Sequence, residues 1–319
     1  MARVNAAPSA SVVERALEGD RQAVAKLISV VEDGSPQLGS VMEAIFPHTG
    51  RAMTVGITGA AGAGKSTLTE GLIGEVRSEG ASVAVLAIDP SSPFTGGALL
   101  GDRVRMQSHT SDEKVFIRSM ATRGHLGGLS LATPEAVRIL DASGTDYVLI
   151  ETVGVGQDEV EIVETADTTV VILNPGWGDS IQTGKAGLLE IADVFAVNKA
   201  DREGVKQTVR ELNQMIDLGP HRPWRPPVIE TVATDGKGLP ALWQGIKSHL
   251  RHLQESGELE SRRKGRISRE VSGIVAERVR AKVRRDSADA LAEMVDAVSK
   301  REIDPYAAAQ RLLAKLGVE

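Results

Sequence analysis

The chain has 319 residues, 41% hydrophobic and 25% charged, ordinary for a globular protein long enough to bury a substantial core. A formal net charge of −6 argues against a role centred on nucleic acid, and the lack of cysteine excludes disulfides, thiolate zinc sites and cysteine nucleophiles. Residues 1–9 carry no apolar signal core, and no later run nears the roughly 18 apolar residues of a membrane span, so a cytoplasmic location with no membrane contact is expected.

From about residue 9 to 45, apolar residues recur three and four apart: Val12, Val13, Ala16 and Leu17, then Val24, Leu27, Ile28 and Val31. This spacing predicts helix, broken at Asp33-Gly34-Ser35-Pro36, with a second short helix on Val41, Met42 and Ile45 before Pro47 and Gly50. Residues 1–50 are expected to form an N-terminal helical extension. From Met53 to about Leu250, short β-branched runs alternate with helical stretches, the pattern of a βαβ sheet. Strands are predicted at 53–58, 82–89, 114–120, 147–152, 168–174, 194–198 and 228–233. Runs such as Val83 to Ile88 and Tyr147 to Ile150 are apolar on both faces, as in strands covered by helices on each side. The expected fold is therefore α/β with a mostly parallel sheet, its domain drawn at 51–253. Beyond it, Arg262-Arg263-Lys264-Gly265-Arg266 precedes Val271, Ile274, Val275 and Val279, then Leu291, Met294, Val295 and Val298. These read as amphipathic helices too thin to bury themselves, so residues 254–319 are expected to pack on the main domain or on a second copy. The basic cluster reads as a solvated helix face or a grip on an anionic partner in preference to a nucleic-acid patch.

In such sheets ligands bind beyond the carboxyl ends of the strands. There, residues 59–66 spell G-x-x-x-x-G-K-S between a strand-like run and the helical spacing of Leu68, Leu72, Ile73 and Val76. Gly59, Ala61, Gly62, Ala63, Gly64 and Thr67 belong to a backbone that can curl its N–H groups inward around phosphate oxygens, with the positive end of the next helix behind them. Lys65 is expected to reach the β- and γ-phosphates and Ser66 to ligate Mg²⁺. A coincidental glycine-rich turn is the alternative, and the flanking strand and helix argue against it. Asn198-Lys199-Ala200-Asp201 matches N-K-x-D. An aspartate at its fourth position accepts from guanine N1–H and the exocyclic amine, whereas adenine has no donor at N1, so the nucleotide is expected to be GTP or GDP. The alternative is a surface turn. Glu151 ends a strand where an acidic Mg²⁺-organising residue belongs, and Gly154 sits where a glycine touches the γ-phosphate. Asp89 is a second carboxylate on that sheet edge, and Asp102 lies in a loop that can close over the site; helix caps and turn carboxylates are the competing readings. The glycine-containing loops 90–97 and 174–182 have the character of segments that order with nucleotide state, and Trp177 reads equally as partner anchor or core residue.

Taken in order, these motifs resemble the MeaB/ArgK/MMAA G proteins, P-loop GTPases of the signal-recognition-particle and MinD-like class that serve adenosylcobalamin-dependent acyl-CoA mutases. The resemblance runs from about Val55 to Trp243 and includes residues 59–67, 88–92, 95–97, 100–102, 122–124, 126–128, 151–157, 198–201 and 236–238. It implies Mg²⁺ organised by Ser66, Asp89, Asp102 and Glu151, nucleotide contacts that extend to Ala233, and catalysis shared by Lys65, Glu151, Gly154 and Lys185. Asp179, Gln182 and Lys185 look like the family's third switch. The resemblance further implies a homodimer through the C-terminal arm and a chaperone role in which GTP hydrolysis gates loading and repair of the mutase cofactor. Glu151 stands where most small GTPases have aspartate. Set against the family, Pro93-Phe94 with Arg118 to Thr122 look more like versions that accompany isobutyryl- or 2-hydroxyisobutyryl-CoA mutases than methylmalonyl-CoA mutase. No cobalamin-binding D-x-H-x-x-G occurs in the sequence, so the mutase is expected on a separate chain. The competing functions are a nickel- or other metallocofactor-delivery GTPase and a kinase-like ArgK-type ATPase. The first would show a His-rich tract and the second a base for a hydroxyl substrate, and the sequence displays neither.

Overall fold

Seven short runs rich in apolar and β-branched residues form one sheet in which every pairing is parallel. They are β1 (Met53–Gly59), β2 (Val83–Asp89), β3 (Val115–Ala121), β4 (Tyr147–Thr152), β5 (Thr168–Leu173), β6 (Val194–Val197) and β7 (Val228–Glu230). The structure is a computed structural model and describes residues 10–89, 109, 111–121, 132–152, 162, 165–176, 190–220, 222–315 and 317. Spatial order is β3-β2-β4-β1-β5-β6-β7. The chain leaves β1 toward one edge for β2 and β3, then crosses back through β4 to build the other edge, which makes the carboxyl end of β1 the topological switch point where α/β sheets bind ligands.

Parallel neighbours require crossovers, and α4 (Lys65–Ser78), α5 (Ala132–Ala142) and α6 (Val205–Leu218) lie in three of them, while α7 (Leu239–Ser256) follows the last strand. The period of two along each strand sorts its side chains between two faces. Val55, Ile57, Val83, Val85, Leu149, Val170 and Ile172 pack on Leu68, Leu72 and Ile73 of α4 and on Leu242, Trp243 and Ile246 of α7. Ala84, Leu86, Ile88, Val148 and Ile150 face Ile139 and Leu140 of α5. The same cluster takes in Val12 and Ala16 of α1 (Ala10–Leu17), Val24, Leu27 and Ile28 of α2 (Arg21–Glu32), and Val41 and Ile45 of α3 (Leu38–Ile45). Val171, Leu173, Phe195 and Val197 meet Leu212 of α6. Each valine, leucine, isoleucine and phenylalanine among these contributes about 1.5–3 kcal/mol by leaving water, which is why these runs fold as strands with both faces covered.

Two boundaries depart from the sequence pattern for local reasons. The helix expected through residue 32 is two helices, because Gly19 takes φ +85° and Asp20 caps α2, its carboxylate accepting the Gln22 and Ala23 N–H groups at 2.9 and 3.0 Å. The last strand stops at Glu230: Val232 turns back to bridge Lys237, and Ala233–Asp235 closes a single helical turn that ends on Gly236 at φ +72°. At the end of α5 the buried Asp141 carboxylate accepts N–H groups of Gly50, Arg51 and Ala52, fastening the link between α3 and β1.

The chain divides into Met1–Leu259, which holds all of this, and Glu260–Glu319. The second unit contains most of α8 (Glu258–Asp286), with α9 (Ala288–Ser299) and α10 (Pro305–Lys315). Within it Asp304 caps α10 by accepting the Tyr306 and Ala307 N–H groups at 2.9 and 3.1 Å. α8 buries none of its residues and leaves Ile267, Val271, Ile274 and Val275 exposed. No helix among the described residues is long and apolar enough to cross a membrane.

Candidate functional site

Between β1 and α4 the backbone must turn within Gly59 to Gly64, and the turn is made where side chains would not fit. Gly59 takes φ +144°, and a Cβ there would lie 2.2 Å from the Ile172 carbonyl oxygen of β5. Gly64 takes φ +96°, and a Cβ there would lie 2.4 Å from Asn198 Nδ2. The helix that follows, Lys65–Ser78, has no side-chain hydrogen bond at its N-cap Gly64, and the N-terminus of a helix is where anions bind. Lys65, 7% exposed, arches back over the loop: its Nζ donates to Gly59 O at 2.8 Å and Ala60 O at 3.1 Å. A buried ammonium needs such acceptors.

The register of β1 on β4 sets Ile57 opposite Glu151, which brings the Glu151 carboxylate to the start of α4. Glu151 is 3% exposed, and Ser66 Oγ donates to its Oε1 at 2.6 Å. A hydroxyl and a carboxylate converging beside an anion-binding loop are hard oxygen donors, the set that suits Mg²⁺. Asp89 closes β2 on the far side of β4, where Ile88 pairs with Thr152, but its side chain lies outside the described residues. Asp102, Gly154 and Lys185 lie outside them too, as do Trp177, Asp179 and Gln182.

The turn after β6 is joined directly to the phosphate loop. Buried Asn198 donates from Nδ2 to Ala63 O at 2.9 Å, while its Oδ1 accepts the Thr231 hydroxyl at 3.2 Å and the Ala233 N–H at 3.1 Å. Lys199, held at φ +58°, donates from Nζ to Gly62 O at 2.6 Å. Ala200 N–H reaches Thr231 O at 3.0 Å, and the exposed Asp201 follows in the turn. The residues predicted from sequence as Gly59 to Ser66, Glu151, Asn198, Lys199 and Ala233 are thus brought together, with Thr67 one residue into α4. Thr231 was not among them. Its only signal in the sequence is a hydroxyl residue within the predicted strand 228–233, two positions before Ala233.

Because the turn that would read a base hydrogen-bonds to the loop that would hold phosphates, one nucleotide can span both, and the fold and site together define a P-loop GTPase. Comparison with known proteins makes this specific. The chain belongs to the family of methylmalonyl-CoA mutase-associated GTPases called MeaB, whose model matches residues 24–288. A Pyrococcus abyssi protein carrying a GTPase name is 53% identical over 313 residues, 96% of each chain. The GTPase ArgK of Escherichia coli is 35% identical over 266 residues, 81% of this chain and 80% of that one. The crystal structure of a LAO/AO transport system kinase superposes with a TM-score of 0.73 at 25% identity, covering 97% of both chains.

Proposed function

We propose that this GTPase is a G-protein chaperone for an adenosylcobalamin-dependent acyl-CoA mutase carried on a separate chain, and that GTP hydrolysis gates loading and repair of the mutase cofactor. The observation that carries the nucleotide reading is the clasp of Asn198 and Lys199 on Ala63 and Gly62, which makes base and phosphate recognition one unit. Membership of a family described as mutase-associated supports the partner.

In this reading Lys65 exchanges the carbonyls of Gly59 and Ala60 for β- and γ-phosphate oxygens, and the N–H groups from Ala61 to Thr67 complete the cradle. Asp201 takes the two guanine donors, and Ala233 lies beside the base. Ser66 and Glu151, with Asp89 and Asp102, hold Mg²⁺, which when bound supplies positive charge to the phosphates. Gly154 places its backbone at the γ-phosphate, and Lys185 adds charge in the transition state when the mutase engages the segment around Asp179 and Gln182. Residues 1–50, 51–253 and 254–319 are read as helical extension, GTPase domain and dimerisation arm of a cytoplasmic homodimer that binds neither nucleic acid nor membrane.

The test is to add candidate acyl-CoA mutases of the methylmalonyl, isobutyryl and 2-hydroxyisobutyryl types. The cognate mutase should stimulate hydrolysis and bind the GTP-analogue and GDP forms with affinities differing by about 5–150-fold, the range of ordinary allosteric coupling. Lys185→Ala should lose most of the stimulation and keep GTP binding. Equal affinities with unstimulated hydrolysis for every mutase would overturn the proposal.

A further inference from the structure

Two buried threonines lie at the strand ends behind the nucleotide site. Thr58 and Thr152 are 0% and 1% exposed. Thr152 Oγ1 donates to Thr58 Oγ1 at 3.1 Å and stands 3.5 Å from Ile57 O. The ladder between β1 and β4 ends at the pair Ile57 and Glu151, so the two hydroxyls extend the union of these strands by one further step, through side chains. Alternation along the strands turns them to the face opposite Ile57, where Ile88 and Ile150 belong to one apolar cluster and Val171, opposite Thr58, to another. Valine would fill either position without desolvating a hydroxyl, and replacing both partners of a buried hydrogen bond by apolar isosteres is close to neutral for stability. Packing alone therefore does not explain the pair. What distinguishes the two positions is their neighbours: Thr58 immediately precedes Gly59 of the phosphate loop, and Thr152 immediately follows Glu151, the acceptor of the Ser66 hydroxyl.

We propose that Thr58 and Thr152 are positioning residues that lock the end of β4 to the end of β1, so that the Glu151 carboxylate and Ser66 hydroxyl present a preset pair of oxygens to a divalent cation. The inference rests on the reading of Ser66 and Glu151 as Mg²⁺ ligands. Residues that orient metal ligands from behind typically govern affinity by 10–100-fold, which sets the scale expected here.

Release of a fluorescent GDP analogue is measured with Mg²⁺ and with EDTA, beside thermal unfolding, for wild type, T152S, T152V, T58V and the double valine variant. The double variant should unfold near the wild-type temperature and release nucleotide in EDTA at the wild-type rate, while the slowing of release by Mg²⁺ weakens by about 10–100-fold. T152S, which keeps the hydroxyl, should keep most of the Mg²⁺ effect. A double variant with the full Mg²⁺ effect overturns the proposal. Failure of the valine variants to fold also overturns it, because the pair would then be a requirement of the fold. Release from wild type that ignores Mg²⁺ would instead remove the cation reading of Ser66 and Glu151, and the proposal with it.

Discussion

Asn198 uses both ends of its amide within the protein, on Ala63 and on Thr231 with Ala233, so it serves as a strut, and in the proposed function base recognition is the part given to Asp201. The exposed Asp201 carboxylate is free of the steric demands of the core, and its substitution should report on the base alone. Two hydrogen bonds to a charged acceptor are worth about 1.5–3 kcal/mol each. Asp201→Asn should therefore lower GTP affinity at least about tenfold and raise affinity for the xanthine nucleotide, whose carbonyl suits the new amide donor. Calorimetric titration checks this, and wild-type protein that binds ATP as tightly as GTP would refute the base assignment.

Asp141 and Asp112 each bind elements together, by different physics. Buried Asp141 accepts three consecutive N–H groups at the entry to β1, and removing it leaves donors unsatisfied at roughly 1–3 kcal/mol apiece. Asp141→Ala should cost about 2–4 kcal/mol in denaturant unfolding, since water recovers part of the loss at Gly50 and Arg51. Asp112, in the turn before β3, accepts from Arg77 of α4 at 2.7 Å, and this hydrogen bond, helped by the Lys114 N–H, holds its carboxyl below the usual value of 3.8. A pKa depressed on folding contributes stability that is present above 3.8 and disappears as pH falls through the folded value. Acid unfolding of Asp112→Asn should accordingly be less steep than that of wild type below 3.8, the two proteins converging at the most acid pH. The strands were legible in the sequence because parallel strands covered on both faces are uninterrupted apolar runs. The break before α2 was not, because Ala16, Leu17 and Val24 keep helical spacing on either side of Gly19 and Asp20. The site divides in the same way. The phosphate loop and the Asn-Lys-Ala-Asp turn are contiguous and readable, whereas Thr231, Thr58 and Thr152 find their partners far away in the chain, Asn198 for the first and each other for the second and third, which no local spacing encodes.

At the scale of the whole molecule, α8 is the element least explained by the chain itself. Its 29 residues make a rod of about 43 Å, none of them buried, with Ile267, Val271, Ile274 and Val275 recurring at helical spacing on one exposed side. A second copy is the proposed cover, so replacing Val271 and Val275 together by Asp should convert a dimer to a monomer in light scattering while nucleotide affinity stays unchanged; an unaltered mass would rule this face out. The sheet order carries a different consequence, one that belongs to synthesis. β1, the central strand, is flanked by β4 and β5, so the segment begun at Met53 has no ladder to join until Tyr147 and the residues after it have been made. At about 5–20 residues per second that interval lasts roughly 5–20 seconds on the ribosome. Through that interval Val55 and Ile57 form an apolar strand with no ladder partner, and α4, whose Leu68, Leu72 and Ile73 pack on them in the finished fold, is the first of their native neighbours to be made.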